Sequence, residues 1–255
     1  MTYPSGLDVS RGNVQGVRVL HHFGRNTAIG ATFTPITRSG FYRTPQVAGA
    51  TALRIKAGGN AADTANGAGA RAITLIGLDA NGELISEVLA TAGASASAPS
   101  AQAFIRLTDA FVSASGTYAT QTAASHFGNI TIEAAAGGSD WALISDGSFP
   151  RGDSEIGAYS VPKGRSAYVQ AIRLGSSADK KANIVLFKRS GILETVAPYS
   201  GMVLVAEFPE VSGSLQVDYD PPLAFPQLTD FGFLASVSAS TVDVTVSFDV
   251  IECIP

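Results

Sequence analysis

Residues 242–250 read VDVTVSFDV, a stretch in which apolar and polar side chains alternate strictly. Neighbouring side chains of a β-strand point to opposite faces, so this alternation predicts a strand with one buried face and one wetted face. A helix would scatter the same apolar residues around its circumference. The stretch therefore predicts a β-sheet that covers a hydrophobic core.

The rest of the chain repeats this kind of segment. Helical signals are scarce, because residues 59–68 and 94–103 are rich in small residues and lack an apolar stripe. The clearest hairpin spans residues 71–90, with Asp79-Ala80-Asn81-Gly82 at its turn. Spacing of about ten residues between strands indicates sandwiches or barrels. We predict further strands at residues 17–20, 28–33, 53–56, 72–78, 84–89, 104–112, 130–133, 141–144, 167–174, 184–187, 202–208 and 228–237.

Turn-forming residues cluster at 146–153 and predict a domain boundary there. The boundary leaves residues 16–150 and residues 151–255, each with about eight strands, the number that a jelly roll uses. We therefore predict an all-β fold with two β-sandwich (jelly-roll-like) domains and an extended N-terminal arm at residues 1–15. The arm is expected to become ordered against a neighbouring subunit. Its expected subunit contacts are Tyr3, Pro4, Leu7, Val9 and Val14.

Composition excludes several classes of protein. The 255 residues include 17 Lys+Arg and 21 Asp+Glu, for a net charge of −4 and no basic run, which argues against a nucleic-acid or membrane-surface partner. The chain has no apolar run of the ~20 residues that a membrane helix needs, and no secretory signal at its start. Cys253 is the single cysteine, so no internal disulfide can form, and we interpret it as a small buried residue at a strand end.

No residue pattern predicts a catalytic, cofactor-binding or metal site. His21 and His22 are adjacent in a predicted strand and would face opposite ways, and no metal-ligand spacing accompanies His126. We interpret all three as strand-end or surface histidines. A metal site that one of them builds across a trimer axis stays an alternative. Trp141 and the tyrosines are too dispersed to suggest a stacking platform for sugars or bases.

Three short segments resemble chemical motifs in part. Gly152-Asp153-Ser154 resembles an esterase nucleophile block, but its serine needs a histidine base and no histidine follows His126. Residues 79–83 lack the distal glutamate of a calcium loop, and residues 67–71 lack the lysine of a phosphate-binding loop. A carboxylate pair for glycoside cleavage would be invisible in sequence and stays open. We predict that the chain is not an enzyme and takes no cofactor or small-molecule substrate.

A family resemblance extends over roughly residues 40–255. It is carried by the stretches KAGGNAADT (56–64), GARAITL (69–75), GLDANG (77–82), FIRL (104–107) and VPKGRSAY (161–168). With these stretches the chain resembles virion structural proteins of tailed bacteriophages, notably those of aquatic bacteria. The resemblance implies a β-rich fold, an oligomer and no catalytic residues.

The leading expectation is a capsid decoration (cement) protein in the phage head, assembled in the host bacterial cytoplasm. Its expected partners are the major capsid protein and copies of itself, as a homotrimer that clamps neighbouring capsid subunits. Abundant Ala, Ser, Thr and Gly suit such contacts, because these side chains lose little rotamer entropy on burial. The alternative is a tail, adaptor or baseplate component with a receptor-binding sandwich. A polysaccharide depolymerase is less favoured, because no long repetitive β-helix is evident.

Overall fold

The structure is a computed structural model that describes residues 6–38, 49–116, 125–146, 152–177, 180–238 and 241–254. Within these ranges the chain forms one short helix, α1 (Gly6–Ser10), and sixteen strands. The strands are β1 (Val17–Ile29), β2 (Thr34–Pro35), β3 (Thr51–Ile55), β4 (Ala70–Leu78), β5 (Leu84–Ala90), β6 (Ala103–Phe104), β7 (Arg106–Ser115), β8 (Ile130–Ala134), β9 (Asp140–Ile144), β10 (Ala158–Ser160), β11 (Ser166–Ser176), β12 (Ala182–Ser190), β13 (Val203–Val211), β14 (Gly213–Phe225), β15 (Thr229–Val237) and β16 (Val242–Cys253). The predicted all-β fold is confirmed.

The chain divides into two compact units. Unit 1 comprises Met1–Ile36, Gly157–Ile192 and Ser200–Pro255, and unit 2 comprises Thr37–Ile156 and Leu193–Tyr199. This division differs from the predicted domains at 16–150 and 151–255, because β1 pairs antiparallel with β16. The pairing joins positions as far apart as Arg18 and Glu252, which are 234 residues apart in sequence. No local pattern in a sequence reports a pairing over that distance.

Unit 1 contains two antiparallel sheets. The first has the order β1-β16-β11-β14, and the second has the order β10-β15-β12-β13, with β2 also paired to β15. One apolar core joins residues of both sheets, such as Val246 and Phe248 from the first and Leu186 and Phe233 from the second. If β2 and β10 count as two parts of one strand, eight strands remain, and their order is consistent with a jelly roll.

The alternating stretch at 242–250 occupies the middle of the first sheet. Val244, Val246, Phe248 and Val250 are buried, and the residues between them are half-exposed. Each buried side chain of this kind stabilises the folded state by roughly 1.5–3 kcal/mol relative to an exposed one. This stretch therefore contributes one face of the unit 1 core, as its alternation predicts.

Most of unit 2, Thr37–Ile156, is inserted in the sequence between β2 and β10. The amide of Ile36 donates a hydrogen bond to the carbonyl of Phe233 at 3.0 Å, and the amide of Gly157 donates to the carbonyl of Ile36 at 3.0 Å. The chain thus leaves the edge of β15 after Ile36 and returns beside it at Gly157. A Cβ atom on Gly24 would lie 2.2 Å from the Cα atom of Gly157, so β1 can approach this point only with glycine at position 24.

Unit 2 itself contains two further sheets, with the orders β6-β3-β8-β9 and β5-β4-β7. The predicted hairpin is present as β4 and β5, which pair from Ala72 with Ala90 to Leu78 with Leu84. At its turn, the Asp79 carboxylate accepts hydrogen bonds from the amides of Asn81 and Glu83 at 2.8 and 2.9 Å. A local side-chain acceptor of this kind is what makes such a turn readable from sequence.

The N-terminal segment differs from the predicted extended arm. Residues Gly6–Ser10 form α1, and the amide of Asn13 then donates to the carbonyl of Asp8 at 2.9 Å. Of the predicted contact residues, Leu7 lies in α1, Val9 and Val14 are half-buried, and Tyr3 and Pro4 lie outside the described residues. No helix in the described ranges is long and apolar enough to cross a membrane.

Candidate functional site

The outer face of the first sheet of unit 1 presents a row of polar residues. His21 of β1 pairs with Asp249 of β16, Asp249 pairs with Ala171 of β11, and Ala171 pairs with Asp218 of β14. Residues that lie directly opposite one another share a face of the sheet. The adjacent row contains Phe248, which is part of the core. The row from His21 to Asp218 therefore faces away from the core.

An irregularity in strand pairing interrupts the sheet beside this row. The pairing of β11 with β14 passes from Val169–Leu223 directly to Ala171–Asp218, so residues 219–222 lie opposite Gln170 alone. Extra residues of this kind bend a strand and re-aim its side chains, and they are common beside binding sites. Pro221 and Pro222 fall within the irregularity, which is possible because β14 is an edge strand and does not need their missing amide hydrogens.

A depression of about 600 Å³ lies at this irregularity, and we call it the β14 depression. Three strands line it: β11 through Gln170, Ala171 and Arg173, β16 through Asp249, and β14 through residues 218–220 and Pro222. Its volume falls within the range of about 300–1,000 Å³ that is common for small-ligand sites. Ala171 has the smallest side chain of the row, which leaves open space above the sheet.

Hydrogen bonds hold the acidic groups of the depression in place. Asp249 accepts a hydrogen bond from Nη1 of Arg173 at 3.0 Å, and its other oxygen lies 2.7 Å from Nδ1 of His21. Nε2 of Gln216 lies 3.1 Å from both carboxylate oxygens of Asp218. Burial raises the pKa of Tyr219, whose phenol can donate a hydrogen bond. Fixed carboxylates of this kind are ready acceptors for a ligand that carries hydroxyl groups.

A second exposed feature of unit 1 is the edge strand β13. Among the described strands it pairs only with β12. Its first residues, Val203 and Leu204, are 51% and 57% exposed, and Met202 before them is 47% exposed. An edge strand offers unpaired backbone groups to another chain, and neighbouring apolar side chains add surface that association can bury. β13 is therefore a candidate contact surface for another protein chain.

Unit 1 also holds a buried polar cluster around Glu252. The carboxylate accepts hydrogen bonds from Nε of Arg18 at 2.7 Å, from Nη1 of Arg165 at 2.5 Å and from the hydroxyl of Tyr159. Burial acts to raise the pKa of Glu252, but the hydrogen bonds from Arg18 and Tyr159 outweigh it and the pKa is lowered overall. Burial and the Glu252 charge raise the pKa of Tyr159. Arg18, Arg165 and Tyr159 are each hydrogen-bonded to the Glu252 carboxylate, so these groups are occupied within unit 1 and do not form an open site.

A carboxyl pair, which the sequence left open, occurs in unit 2. Desolvation, and then the hydrogen bond and charge of Asp109, raise the pKa of Asp153, although solvent that reaches the Asp153 side chain screens part of this effect. The Ser154 hydroxyl donates to Asp109 at 3.0 Å and accepts from the amide of Ala110 at 2.9 Å. Ser154 is buried. The serine hydroxyl of the Gly152-Asp153-Ser154 segment is therefore already hydrogen-bonded to two residues of β7.

The histidines differ in part from their interpretation as strand-end or surface residues. His21 is exposed, whereas His22 points to the opposite face and its ring lies 5.3 Å from that of Phe248. His126 is buried, with Nε2 3.0 Å from the carbonyl oxygen of Ser145. Cys253 is half-buried, and desolvation raises the pKa of its thiol. No group of three or more metal-ligating side chains occurs within the described ranges.

The residues of the β14 depression were not predicted from the sequence. The signal that precedes them is the segment DYDPP at 218–222, where two carboxylates flank a tyrosine and two prolines follow. Prolines at the end of an alternating run mark an edge strand or a bulge. The contribution of β11 and β16 to the same place depends on strand pairing, which the segment does not report.

Comparisons with known proteins add little. No protein-family model matches the chain, and no curated protein matches it. Among solved structures, isomalto-dextranase from Arthrobacter globiformis T6 complexed with panose is 9% identical, covers 86% of this chain and has a TM-score of 0.25. The chain spans 40% of the length of that enzyme.

Two viral structures show a similar level of likeness. The structure of infectious bursal disease virus Gx strain is 8% identical, with 93% of this chain and 76% of that chain covered and a TM-score of 0.25. The structure of T=1 particles derived from infectious bursal virus is 9% identical, with 94% of this chain and 74% of that chain covered and a TM-score of 0.23. Likenesses at these TM-scores carry no argument about function. The class that the strands themselves define is an all-β protein with several antiparallel sheets.

Proposed function

We propose that the chain is a structural protein of a tailed-bacteriophage virion and that it decorates the head. In this role it clamps neighbouring major capsid subunits, as a homotrimer, after assembly in the host bacterial cytoplasm. The resemblance of residues 40–255 to phage virion proteins supports the family. The antiparallel sheets of both units agree with the β-rich fold that the family implies.

The observation that carries the proposal is the exposed apolar start of the edge strand β13. Val203 and Leu204 leave more than half of their surfaces in water. A protein that functions by association gains free energy by burying such surface, at roughly 25 cal/mol per Å². The nine residues of β13 extend over about 30 Å, long enough to pair with a strand of a neighbouring chain.

The N-terminal segment provides a second contact in this proposal. Val9 and Val14 are half-buried in unit 1, and Tyr3, Pro4 and Leu7 complete the predicted set. A segment that lies outside the main sheets can contact a neighbouring subunit without disturbing the core of its own subunit. The jelly-roll-like order of unit 1 supports this arrangement, since both sheets are complete without residues 1–15.

The proposal includes no catalytic role. The buried side chain of Ser154 is engaged by Asp109 and Ala110, and the carboxylate of Glu252 is engaged by Arg18, Arg165 and Tyr159. A nucleophile needs a nearby base and access to substrate. Neither the Ser154 hydroxyl nor the Glu252 carboxylate is accessible in this way, because both residues are buried. Measurement of hydrolysis of host-surface polysaccharides by the purified protein tests this part, and sustained turnover would contradict it.

Localisation within the intact particle tests the proposal as a whole. Cryo-EM of particles that contain the chain is expected to place it on the shell, and quantitative mass spectrometry is expected to find hundreds of copies per particle. Native mass spectrometry of the purified chain is expected to give a trimer. Density for this chain at the tail alone would contradict the proposal.

The second candidate function is a tail, adaptor or baseplate component that binds a receptor. The β14 depression favours it, because an open site on the outer face of a sheet can meet a host-surface molecule. Copy number separates the two candidates, since a dozen copies or fewer would indicate the tail.

A further inference from the structure

We infer that the β14 depression binds a neutral saccharide unit through its hydroxyl groups. This inference goes beyond the proposed function and does not depend on where in the particle the chain resides. It rests on the composition of the depression, on the hydrogen bonds that fix its carboxylates and on its position at the irregularity of β14.

The polar groups of the depression include both donors and acceptors. Asp218, Asp220 and Asp249 accept hydrogen bonds, whereas the amide of Gln170 and the guanidinium of Arg173 donate them. A ligand that pairs with both the donors and the acceptors must itself have hydrogen-bond acceptors and donors on neighbouring atoms. Adjacent hydroxyl groups on a sugar ring have this property, whereas an amine can only donate.

The charges of the depression exclude polyanions. Three carboxylates face one guanidinium, and Arg173 already donates to Asp249 at 3.0 Å. A phosphate or an acidic sugar placed here would meet net negative charge at short range, which is unfavourable. Within the described residues, the three carboxylates do not come together as a group that could hold a metal ion. An uncharged ligand fits these conditions best.

The geometry favours one sugar ring rather than a long chain. The volume of about 600 Å³ accommodates a small ligand with its water, and the depression is open to solvent on the outer face of the sheet. Tyr219 adds an aromatic side chain to the lining, and aromatic rings pack well against the C–H face of a sugar. Hydrogen bonds from Arg173 and Gln216 hold Asp249 and Asp218 before a ligand arrives, which lowers the entropy cost of binding.

Saturation-transfer NMR on the full-length chain tests the inference. The probes are glucose, galactose, mannose and N-acetylglucosamine, with N-acetylneuraminic acid and spermidine as charged comparators. We expect at least one neutral sugar to bind with a millimolar dissociation constant, and the sialic acid not to bind.

Matched variants separate this site from non-specific binding. The double variant Asp218→Ala/Asp220→Ala removes two exposed carboxylates of the depression, and Gln170→Ala is a milder second variant at an exposed position. Glu207→Ala on β13 removes an exposed carboxylate outside the depression and is the control. The double variant is expected to weaken sugar binding at least about tenfold, because hydrogen bonds to charged groups are the stronger ones. The control is expected to leave binding unchanged.

Several results would overturn the inference. These are no binding of any neutral sugar, binding of spermidine or of Ca²⁺ alone, or equal sugar affinity in the wild type, the double variant and Gln170→Ala. Unfolding midpoints of all variants show whether each one is folded. Because the NMR test uses the isolated chain, its failure leaves the head location untouched, and a tail location would not affect its outcome.

Discussion

The Asp63 carboxylate accepts hydrogen bonds from the backbone amide of Phe127 at 3.0 Å and from the next amide, that of Gly128, at 2.9 Å. It also accepts a hydrogen bond from the amide of Ala70 at 2.8 Å. One buried side chain thus satisfies three amides from two segments of unit 2 that are more than fifty residues apart in sequence. Buried amides without an acceptor are rare in folded proteins, because they lose their hydrogen bonds to water.

Asp63→Ala is therefore expected to lower the free energy of unfolding by about 2 kcal/mol or more, since the amides of Ala70 and Gly128 are buried and each buried amide left without a partner costs about 1–3 kcal/mol. Asp63→Asn keeps one acceptor oxygen and is expected to lose less. Urea unfolding measures both. The control is Asp79→Ala, which removes a half-exposed turn carboxylate whose hydrogen bonds lie at the surface, and it is expected to cost less than about 1 kcal/mol, because water replaces these bonds. Equal losses at positions 63 and 79 would contradict this assignment.

Gly24→Ala tests the close approach of β1 to Gly157. The new Cβ atom would meet backbone atoms of Gly157 at 2.2 and 2.4 Å, and backbone cannot move aside as a flexible side chain can. We expect a loss of at least about 1–3 kcal/mol in the free energy of unfolding. Gly30→Ala is the matched control, because a Cβ at position 30 meets nothing within 4 Å, and its effect is expected to stay within about 0.5 kcal/mol. A tolerated Gly24→Ala would show that the two backbones are farther apart.

The stability of unit 1 is expected to depend on pH through Glu252. Its pKa in the folded state is lowered below the ordinary value of 4.5, so the unfolded chain binds the proton first as pH falls. The stabilisation that the ionised Glu252 carboxylate contributes is present above pH 4.5, and it is lost as pH falls through the lowered pKa of Glu252. Glu252→Gln is expected to lower stability at neutral pH and to flatten this acid dependence. Urea unfolding between about pH 7 and pH 3 measures the difference.

Glu207→Gln on β13 provides the control for that measurement, because its carboxylate is exposed. Its profile should follow that of the wild type throughout. An acid dependence in Glu252→Gln as steep as in the wild type would assign the effect to other carboxylates.

Charges on the exposed start of β13 are expected to weaken self-association. Val203→Lys/Leu204→Lys places two like charges where association would bury apolar surface, and lysine on an edge strand opposes pairing with another chain. Native mass spectrometry is expected to show a shift from oligomer to monomer, with the circular dichroism spectrum of the fold retained. Val88→Lys, at a 61% exposed position of β5 in unit 2, should leave the oligomer intact. An oligomer that persists in the double variant would assign the interface elsewhere.

Deletion of residues 1–15 is expected to leave both units folded and to reduce incorporation into particles. Gly16 remains in this variant, and its carbonyl accepts a hydrogen bond from the amide of Ile254 at 2.7 Å. Circular dichroism checks the fold, and the ratio of this chain to capsid protein in purified particles gives the incorporation. A deletion variant that fails to fold would show that the N-terminal segment belongs to the core of its own subunit.

Local strand signals could be read from the sequence, and their partners could not. The alternation at 242–250 and the turn at Asp79 each depend on side chains within one segment, and both are present as predicted. β14 was missed because Pro221 and Pro222 argue against a strand, and its edge position, which tolerates them, depends on the whole sheet. The β14 depression was missed for the same reason, since Asp218, Ala171 and Asp249 meet only through pairing across three strands.

The pairing of β1 with β16 also constrains how the nascent chain can fold. β1 is synthesised before unit 2, but its hydrogen-bonding partner is not made until residues 242–253 have been translated. Unit 2 has nearly all of its residues, Thr37–Ile156, long before that moment. Synthesis therefore completes nearly all of unit 2 before β1 can pair with β16, which makes the closure of this sheet a slow, long-range step.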